Sequence, residues 1–404
     1  MTWTFSGPLE KSRGFFILKS RKYKLGMSTT KKSAAETAWI AEKAQSLGFD
    51  LCGVATAQDF PELQKMNDWL ERGYAGEMKY LHDPRRANLQ AAMSGVQSVI
   101  VCAINYNSPE PYSNEVAEKK VSEEEAPRGW ISRYAWGSDY HEVLWEKLNA
   151  LVGQMRKRFP EPFEARASAD TGPVQERILA KHAGLGWIGK NTLLLNQKMG
   201  SWLFLGTILT DLELTPTVEN QELPADLCGT CTRCIDACPT EALVNPYVMD
   251  ARRCIAYLTI ELRGPIPMEF REGSGNHVFG CDICQDVCPW NRKSPRTRME
   301  EFQPRRIEGT TESFFHPQLE WLLNLAEEEY RKAFRGSGMK RAKWRGILRN
   351  ACNAAGNAGL MRGTRDGNKL RAALDKLASN EDEVISESAQ WALSRLKIEK
   401  DKAN

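Results

Sequence analysis

The sequence predicts an α+β protein with three successive parts, from its hydrophobic periodicity and the position of its cysteines. From residue 34 to 215, apolar residues alternate between helical spacing and strand-like runs. From 216 to 297, Cys, Pro and Gly become frequent and long periodic segments disappear. From 298 to 404 the pattern is again helical, with short helices separated by Gly-rich turns, as in a small helical repeat. We therefore expect domains with these bounds, preceded by a basic, disordered tail at 1–33.

Composition limits the classes of protein to which the chain can belong. It has 404 residues, of which 42% are hydrophobic, enough for the cores of two or three domains. No apolar run reaches the roughly 18 uncharged residues of a transmembrane helix, so we expect no membrane partner. The first 33 residues hold eight Lys or Arg and one acid, without the apolar core of a signal peptide. Eleven cysteines without such a signal indicate a reducing, cytoplasmic location.

Individual elements follow from local patterns. Apolar residues at helical spacing from Ala35 to Leu47 predict a helix that ends at Gly48, and the next residues predict a strand. The runs Ser98–Ile104 and Ser201–Thr210 predict two more strands. Further helices are expected at 141–158, 175–182, 321–325, 344–356 and 382–396.

The strongest chemical signal lies in the cysteines of the middle part. The first array begins at Cys228 with the spacing Cys-x2-Cys-x2-Cys-x3-Cys-Pro, with which bacterial ferredoxins bind [4Fe–4S] clusters. The second array also ends in Cys-x3-Cys-Pro, at Cys288. Because the last cysteine of such a motif ligates the other cluster, we expect a ferredoxin-like module with two crossed [4Fe–4S] sites. The expected ligand sets are Cys228, Cys231, Cys234 and Cys288 for one cluster, and Cys238, Cys254, Cys281 and Cys284 for the other.

An alternative for these eight cysteines is a pair of structural zinc sites, which also use four thiolates each. The two Cys-x3-Cys-Pro endings favour clusters over zinc. Cys254 departs from the ferredoxin repeat because it lies far before Cys281. The remaining cysteines, Cys52, Cys102 and Cys352, lie in apolar or Ala-rich stretches and are expected to be packing residues.

Two other motifs match binding sites in their letters but not in their context. Gly184–Gly189 fits G-x-G-x-x-G, but a dinucleotide fingerprint follows a strand and precedes a helix, and here the order is reversed. Asp139–Leu144 approaches the D-x-H-x-x-G motif of cobalamin proteins, with Leu144 in place of glycine. Asp139 as a helix N-cap, with Glu142 three residues later, explains that segment more simply.

Three stretches together resemble the epoxyqueuosine reductases. They are ISRYAWGSDYH at 131–141, ADTGPVQER at 169–177 with GLGWIGKNT at 184–192, and the eight-cysteine array. The similarity covers about residues 34–400. The resemblance implies a cobalamin-binding α+β domain, two [4Fe–4S] clusters and a C-terminal HEAT-like helical module. It also implies the reduction of epoxyqueuosine to queuosine at the anticodon wobble position of tRNA, the last step of queuosine biosynthesis.

By this resemblance Asp170 is the proton donor and lies beside the corrin. Reduction of an epoxide to an alkene consumes two electrons and two protons, so an electron relay and an acid are needed. An aspartic acid that donates near neutral pH needs a raised pKa, and we expect burial or a nearby negative charge to raise the pKa of Asp170. Without the resemblance, a turn cap would explain Asp170. The other corrin contacts that the resemblance implies are Tyr134, Ala135, Gly186, Trp187, Gly189, Lys190, Asn191 and Ser201.

The cobalt is expected to have no ligand from the protein. No histidine satisfies the cobalamin motif, and residues 131–136 contain no cysteine.

A basic segment of the C-terminal part suggests where the RNA binds. Residues 331–371 contain twelve Lys or Arg and one acid, Asp366, although the whole chain has a net charge of only +3. Such a density favours phosphate contacts, while a solvated face is the simpler alternative. The expected tRNA-binding residues are Lys340, Arg341, Lys343, Arg345 and Arg349.

Competing functions leave part of the chain unused. A plain electron carrier needs only 216–297, and a non-enzymatic RNA-binding module needs only the C-terminal part. A reductive dehalogenase-like enzyme, which acts on a small molecule with the same cofactors, has no use for a basic helical segment. We therefore expect a monomeric tRNA-modifying reductase that receives electrons from an unidentified donor.

Overall fold

The computed structural model describes residues 27–118, 126–218, 222–359 and 365–396. Most of the expected basic tail, residues 1–26, lies outside this part of the chain. Helix α1 spans Met27–Ser46, so it includes residues 27–33 at the end of the expected tail. Gly48, with a φ of 90°, follows α1, and the strand comes directly after it, as predicted.

In the described ranges, eight strands form one main sheet and two small pairs. The main sheet is antiparallel, with the order β1-β2-β7-β4. Every residue of β2 is buried, because this strand lies between two neighbours and is covered on both faces. The strands are β1 Leu51–Thr56, β2 Ser98–Asn105, β3 Trp130–Ile131, β4 Ala165–Ser168, β5 Trp187–Ile188, β6 Leu194–Leu195, β7 Leu203–Thr210 and β8 His277–Phe279.

Helices cover both faces of the main sheet, so the expected α+β class is confirmed. Helices α1 and α5 bury Ile40, Leu148 and Leu151 on one face, and α2, α3 and α6 bury Leu63 and Leu179 on the other. The five helices that follow α1 are α2 Pro61–Glu71, α3 Leu89–Ala92, α4 Ser113–Glu118, α5 Tyr140–Arg158 and α6 Glu176–His182.

The described residues of the cysteine-rich part form short helices and strand β8, joined by loops. Two of them, α7 and α10, each begin next to a cysteine array and pack against each other. The helices here are α7 Arg233–Asp236, α8 Ile255–Ile260, α9 Met268–Arg271 and α10 Ile283–Asp286.

Five helices form most of the C-terminal part. α13 and α14 both pack against α11 and α15, and the helices predicted at 344–356 and 382–396 are present. In the described part of the chain, no helix has the length and apolar character needed to cross a membrane. These helices are α11 Leu319–Leu323, α12 Glu327–Ala333, α13 Lys343–Asn357, α14 Arg365–Ala378 and α15 Glu383–Arg395.

The three parts interlock more closely than their order in the sequence suggests. β3, from the first part, pairs in parallel with β8 of the cysteine-rich part. Trp130 and Trp136 belong to the hydrophobic core that includes Phe314 and Phe334 of the C-terminal part. The amide of Asn350, on α13, donates to the carbonyl oxygens of Thr259 (2.7 Å) and Val278 (2.8 Å).

Candidate active site and cysteine centre

Asp170 lies in the loop between β4 and α6. Its φ of 59° falls in the left-handed region, which is unfavourable for most residues other than glycine. The backbone N–H of Asp170 donates to the carboxylate Oε1 of Glu176, in the first turn of α6, at 2.6 Å. The Asp170 side chain remains 66% exposed. The loop therefore presents a carboxylate to solvent while Glu176 holds its backbone.

His141 is the nearest charged partner of that carboxylate. Its Nε2 lies 3.3 Å from Asp170 Oδ2, and its Nδ1 lies 2.7 Å from Asp139 Oδ1. Asp139 caps α5 as predicted, by accepting the His141 backbone N–H, and its side chain is 3% exposed. Lys340 Nζ, from the C-terminal part, lies 2.8 Å from Asp139 Oδ2. A row of alternating charges, Lys340, Asp139, His141 and Asp170, thus reaches the loop.

The protonation states in this row differ from those that the sequence suggested. A hydrogen bond from His141 lowers the pKa of Asp170, although burial opposes this. The expectation of a raised pKa for Asp170 is therefore wrong. Burial alone would lower the pKa of His141, but its bonds with Asp139 and Asp170 raise that pKa to about 9. At neutral pH the site holds a protonated histidine beside an ionised aspartate.

Glu176 has the raised pKa that was expected of Asp170. Burial, together with the negative charge of Asp170, raises the pKa of Glu176 to about 8. Tyr140 also bonds to Asp170, and burial raises its pKa far above the usual range. Sequence analysis missed Glu176 as a member of the site, since nothing in the local pattern shows that its carboxylate turns back toward the loop.

Tyr134 connects the surroundings of Asp170 with the second cysteine array. The charge of Asp170 acts on Tyr134. The Tyr134 ring also lies next to Gly280, the residue before Cys281. Burial raises the pKa of Tyr134, Cys281 and Cys284 well above the usual range of each, although all three are partly exposed.

The eight cysteines of the two arrays form two neighbouring groups. In the outer thiol group, the charges of the three cysteines of the first array act on Cys288. In the inner thiol group, Cys254 acts on Cys281 and Cys284, and Cys238 acts on Cys254. These groupings match the crossed sets expected from the motif, and ligation itself stays a prediction. The outer thiol group is Cys228, Cys231, Cys234 and Cys288, and the inner thiol group is Cys238, Cys254, Cys281 and Cys284.

Backbone and indole N–H groups lie near these sulfur atoms. The Ala242 N–H donates to Cys238 Sγ at 3.3 Å. Burial raises the pKa of the Cys228 thiol, and the nearby Lys190 backbone and Trp187 indole N–H groups oppose that rise. The Trp187 indole nitrogen is buried and has no hydrogen-bond partner among the described residues. Such donors favour thiolates, the form that binds metal. Among the described residues, no three His, Cys, Asp or Glu side chains are arranged to hold a single metal ion.

Most of the expected corrin contacts after α6 touch the cysteine region. Lys190 Nζ donates to the carbonyl oxygens of Gly229 (2.6 Å) and Cys231 (3.0 Å). The Asn191 amide reaches the Cys284 carbonyl at 3.4 Å, and Ser201 Oγ donates to Gln285 at 2.9 Å. These side chains thus join the sheet domain to the thiol groups.

The glycines of the G-x-G-x-x-G segment have a packing role. Gly184 has a φ of 80° and follows the end of α6. A Cβ atom on Gly186 would lie 2.0 Å from the carbonyl oxygen of Leu195, so this glycine allows β5 to approach β6. Gly189 is similarly close to Leu195. The reversed context, a helix before the glycines and a strand after them, is confirmed. Ala135 is 2% exposed and lies in the core behind Tyr134.

The basic residues of the C-terminal part are not equivalent. The side chains of Lys340, Arg341 and Arg345 are 62%, 51% and 42% exposed, and each pairs with a carboxylate. Lys343 is exposed at the start of α13. Arg349 is only 1% exposed and donates to backbone carbonyls, so its expected contact with phosphate is wrong. Beside it, a small pocket is lined by the cationic residues Arg263, Lys343, Arg345 and Arg349.

Comparisons with known proteins agree with the geometry. The family model for epoxyqueuosine reductase QueG, DUF1730, matches residues 86–171. A model for a 4Fe–4S double cluster binding domain matches residues 227–291. The first match contains Asp139, His141 and Asp170, and the second contains all eight cysteines of the two thiol groups.

Similar proteins cover most of the chain. Epoxyqueuosine reductase of Gloeobacter violaceus is 42% identical over 81% of this chain and 98% of its own length. A crystal structure of an epoxyqueuosine reductase with an epoxyqueuosine-modified tRNA-Tyr stem loop is 30% identical, covers 89% of both chains and has a TM-score of 0.77. A structure of the Bacillus subtilis enzyme with its aspartate-bearing catalytic loop swung out of the active site is 28% identical, covers 89% of this chain and 98% of that one, and has a TM-score of 0.71. The chain belongs to the epoxyqueuosine reductase family.

Proposed function

We propose that this oxidoreductase converts epoxyqueuosine in tRNA to queuosine, with Asp170 passing a proton to the departing epoxide oxygen. Asp170 carries this proposal, because its carboxylate is exposed in a loop, touches a histidine and acts on Tyr134, which lies beside the inner thiol group. The relative with a catalytic aspartate on a mobile loop supports the same assignment. Membership of the family supports the substrate.

The cofactors that we propose are two [4Fe–4S] clusters and a cobalamin. The thiol groups and their N–H donors suit the clusters. The corrin is proposed to bind beside Tyr134, Asp170 and the loop at 186–191, where the chain resembles other epoxyqueuosine reductases. When bound, cobalamin supplies a strongly reducing centre for carbon–oxygen bond cleavage. No protein histidine is proposed as a cobalt ligand, because His141 is held between two aspartates.

The protein's own contribution to the reaction is the control of protons. The epoxide loses its oxygen as water, which requires two protons at that oxygen. The N–H bond to Glu176 fixes the backbone of Asp170, and the exposed carboxylate is free to reach a substrate. Asp170 is ionised at rest, so it must receive a proton before it can give one.

The tRNA is proposed to bind along the exposed cations of the C-terminal part. Arg341, Lys343 and Arg345 are near the cationic pocket, and Lys340 extends the line toward Asp139. Surface cations of this kind hold phosphates without reading the sequence of the bases. A wobble base in an anticodon loop is single-stranded and can be turned outward toward Asp170.

The proposal is tested by the Asp170→Asn variant. Asparagine keeps the size of the side chain but cannot relay a proton, so turnover of epoxyqueuosine-containing tRNA should fall by roughly 10²-fold or more. Iron content, the visible spectrum and tRNA affinity should stay those of the wild type. Asp59→Asn, in another exposed loop, serves as the control and should retain full turnover. Near-normal turnover of Asp170→Asn would reduce Asp170 to a turn residue and refute the proposed role.

A further inference from the structure

We propose that His141 is the source of the protons that Asp170 delivers, and that Asp139 and Lys340 position it and set how readily it gives them up. This inference rests on the proposed function, because it assumes that Asp170 is the delivering group. It adds three residues to the reaction, one of which comes from the C-terminal part.

The geometry suits a proton source. Both ring nitrogens of His141 face carboxylates, at 2.7 Å for Asp139 and 3.3 Å for Asp170. The ring therefore carries two N–H groups when protonated, and only the one on Nε2 faces the reacting loop. The His141 side chain is 33% exposed, so solvent can return the proton afterwards.

The step balances with the reaction. Both carbon–oxygen bonds of the epoxide break and a carbon–carbon double bond forms, with two electrons supplied by the reduced iron–sulfur and corrin cofactors. The first proton moves from His141 Nε2 to Asp170 Oδ2, and Asp170 passes it to the leaving oxygen. His141 then takes a second proton from solvent and passes it by the same route, and the oxygen leaves as water. The neutral imidazole finally takes a third proton from solvent, which restores the resting state.

The groups that face His141 determine its acidity in opposite directions. Asp139 and Asp170 are negative and favour the protonated ring, which raises the pKa of His141 to about 9. Lys340 is positive and pairs with the far oxygen of Asp139, so it weakens the hold of Asp139 on that proton. Glu176 is the other acid near Asp170, and burial keeps it largely neutral at pH 7. Tyr140 is neutral at these pH values because burial raises its pKa.

Variants of the two flanking residues should therefore move the pH profile in opposite directions. In the wild type, turnover should fall as the pH rises through the pKa of His141, because the proton source is then lost. Asp139→Asn keeps a good N-cap but removes the charge, so the fall should begin about one to two pH units lower. Lys340→Met should move the fall to higher pH, whereas Lys157→Met, at the exposed C-terminal end of α5, should leave it unchanged.

Titration of the histidine ring gives a second measurement that does not depend on turnover. In oxidised holoenzyme with labelled histidine, the NMR signal that His141→Gln removes should titrate near pH 9, and Asp139→Asn should lower that midpoint. A wild-type midpoint near 6.5, or shifts of the same sign in Asp139→Asn and Lys340→Met, would overturn the inference. If Asp170→Asn is inactive while these variants keep the wild-type profile, only this inference fails. If Asp170→Asn is fully active, the proposed function of Asp170 fails first.

Discussion

The two thiol groups each contain four cysteines, but their surroundings differ. The outer thiol group lies under exposed residues such as Gly229 and Thr230, and Lys190 binds the carbonyls of its loop. The inner thiol group lies beside Asp282, which is fully buried and accepts hydrogen bonds from Trp130, Ser132 and the Arg133 backbone. A buried negative charge makes the addition of an electron to a nearby cluster less favourable.

This difference gives the two groups different tasks. The outer thiol group lies next to an exposed loop and is suited to receive electrons from an external donor. The inner thiol group lies near Tyr134, and the buried charge of Asp282 favours a strongly reducing cluster there. We therefore expect electrons to enter at the outer group and leave from the inner one.

The largest expected effect comes from removing one ligand of each group. Cys231→Ser and Cys284→Ser should each lose about four iron atoms per chain, and both should stop turnover with a protein donor. A small, strong chemical reductant should restore part of the activity of Cys231→Ser only, because that variant keeps the cluster of the inner thiol group. Equal recovery of the two variants would contradict the expected order of electron flow. The control variant Cys352→Ser should behave like the wild type.

A second prediction concerns the support of the inner group. Arg349 donates to the carbonyls of Leu258, Leu262 and Gly264, in the segment that follows Cys254, at 2.5 to 2.7 Å. Arg349→Met leaves these buried oxygens without their donor and should destabilise the protein by about 3 kcal/mol or more. Thermal unfolding and iron analysis should show a lower Tm and loss of iron from the inner group first.

The control for this variant is a change of the exposed cations. Replacing Arg341, Lys343 and Arg345 together by alanine should keep the iron content. It should flatten the slope of log K for tRNA against log salt by about 2 to 3 units, because each phosphate contact contributes about 0.7 to 0.9. Arg349→Met should not change that slope. A flattened slope in Arg349→Met with normal stability would return Arg349 to the RNA interface.

The smallest expected effect concerns the outer group. Trp187→Phe removes an indole N–H near Cys228 but keeps an aromatic ring, and should lower the reduction potential of the outer cluster. A hydrogen bond to a charged group is worth about 1.5 to 3 kcal/mol, and about 1.4 kcal/mol corresponds to 59 mV for one electron, so the shift should not exceed roughly 130 mV. Trp290→Phe, in the ring that packs edge-on against Trp187 at 5.2 Å, is the matched control. A larger shift for Trp290→Phe in potentiometric titration would contradict the assignment.

Predictions from the sequence were good where the determining pattern is local. The spacing from Cys228 to Cys238 reflects how one short loop wraps around a cluster, so it is readable without tertiary structure. Ser98–Ile104 forms a strand with every residue buried, which its continuous apolar run indicates. Asp139 caps its helix through an oxygen only two residues from the N–H that it accepts.

Predictions failed where distant segments meet. His141 and Asp170 are 29 positions apart, and their contact reverses the direction in which the pKa of Asp170 was expected to move. Arg349 was counted with its charged neighbours, because a charge count does not show which face of a helix is buried. One local signal was available: Arg349 is followed by Asn350 and Asn353 within an Ala-rich helix, a pattern of polar residues that bind buried backbone.

The pairing of β3 with β8 has a consequence for how the chain folds during its synthesis. Trp130 and Ile131 emerge early, but their partner, His277–Phe279, and the core that covers Trp130 are made much later. At about 5 to 20 residues per second, the ribosome leaves these apolar residues waiting on the order of 10 s for that partner. The growing chain must therefore keep a large aromatic surface uncovered for that time. We expect the nascent chain to depend most on chaperones during this interval, before the second half of the chain is synthesised.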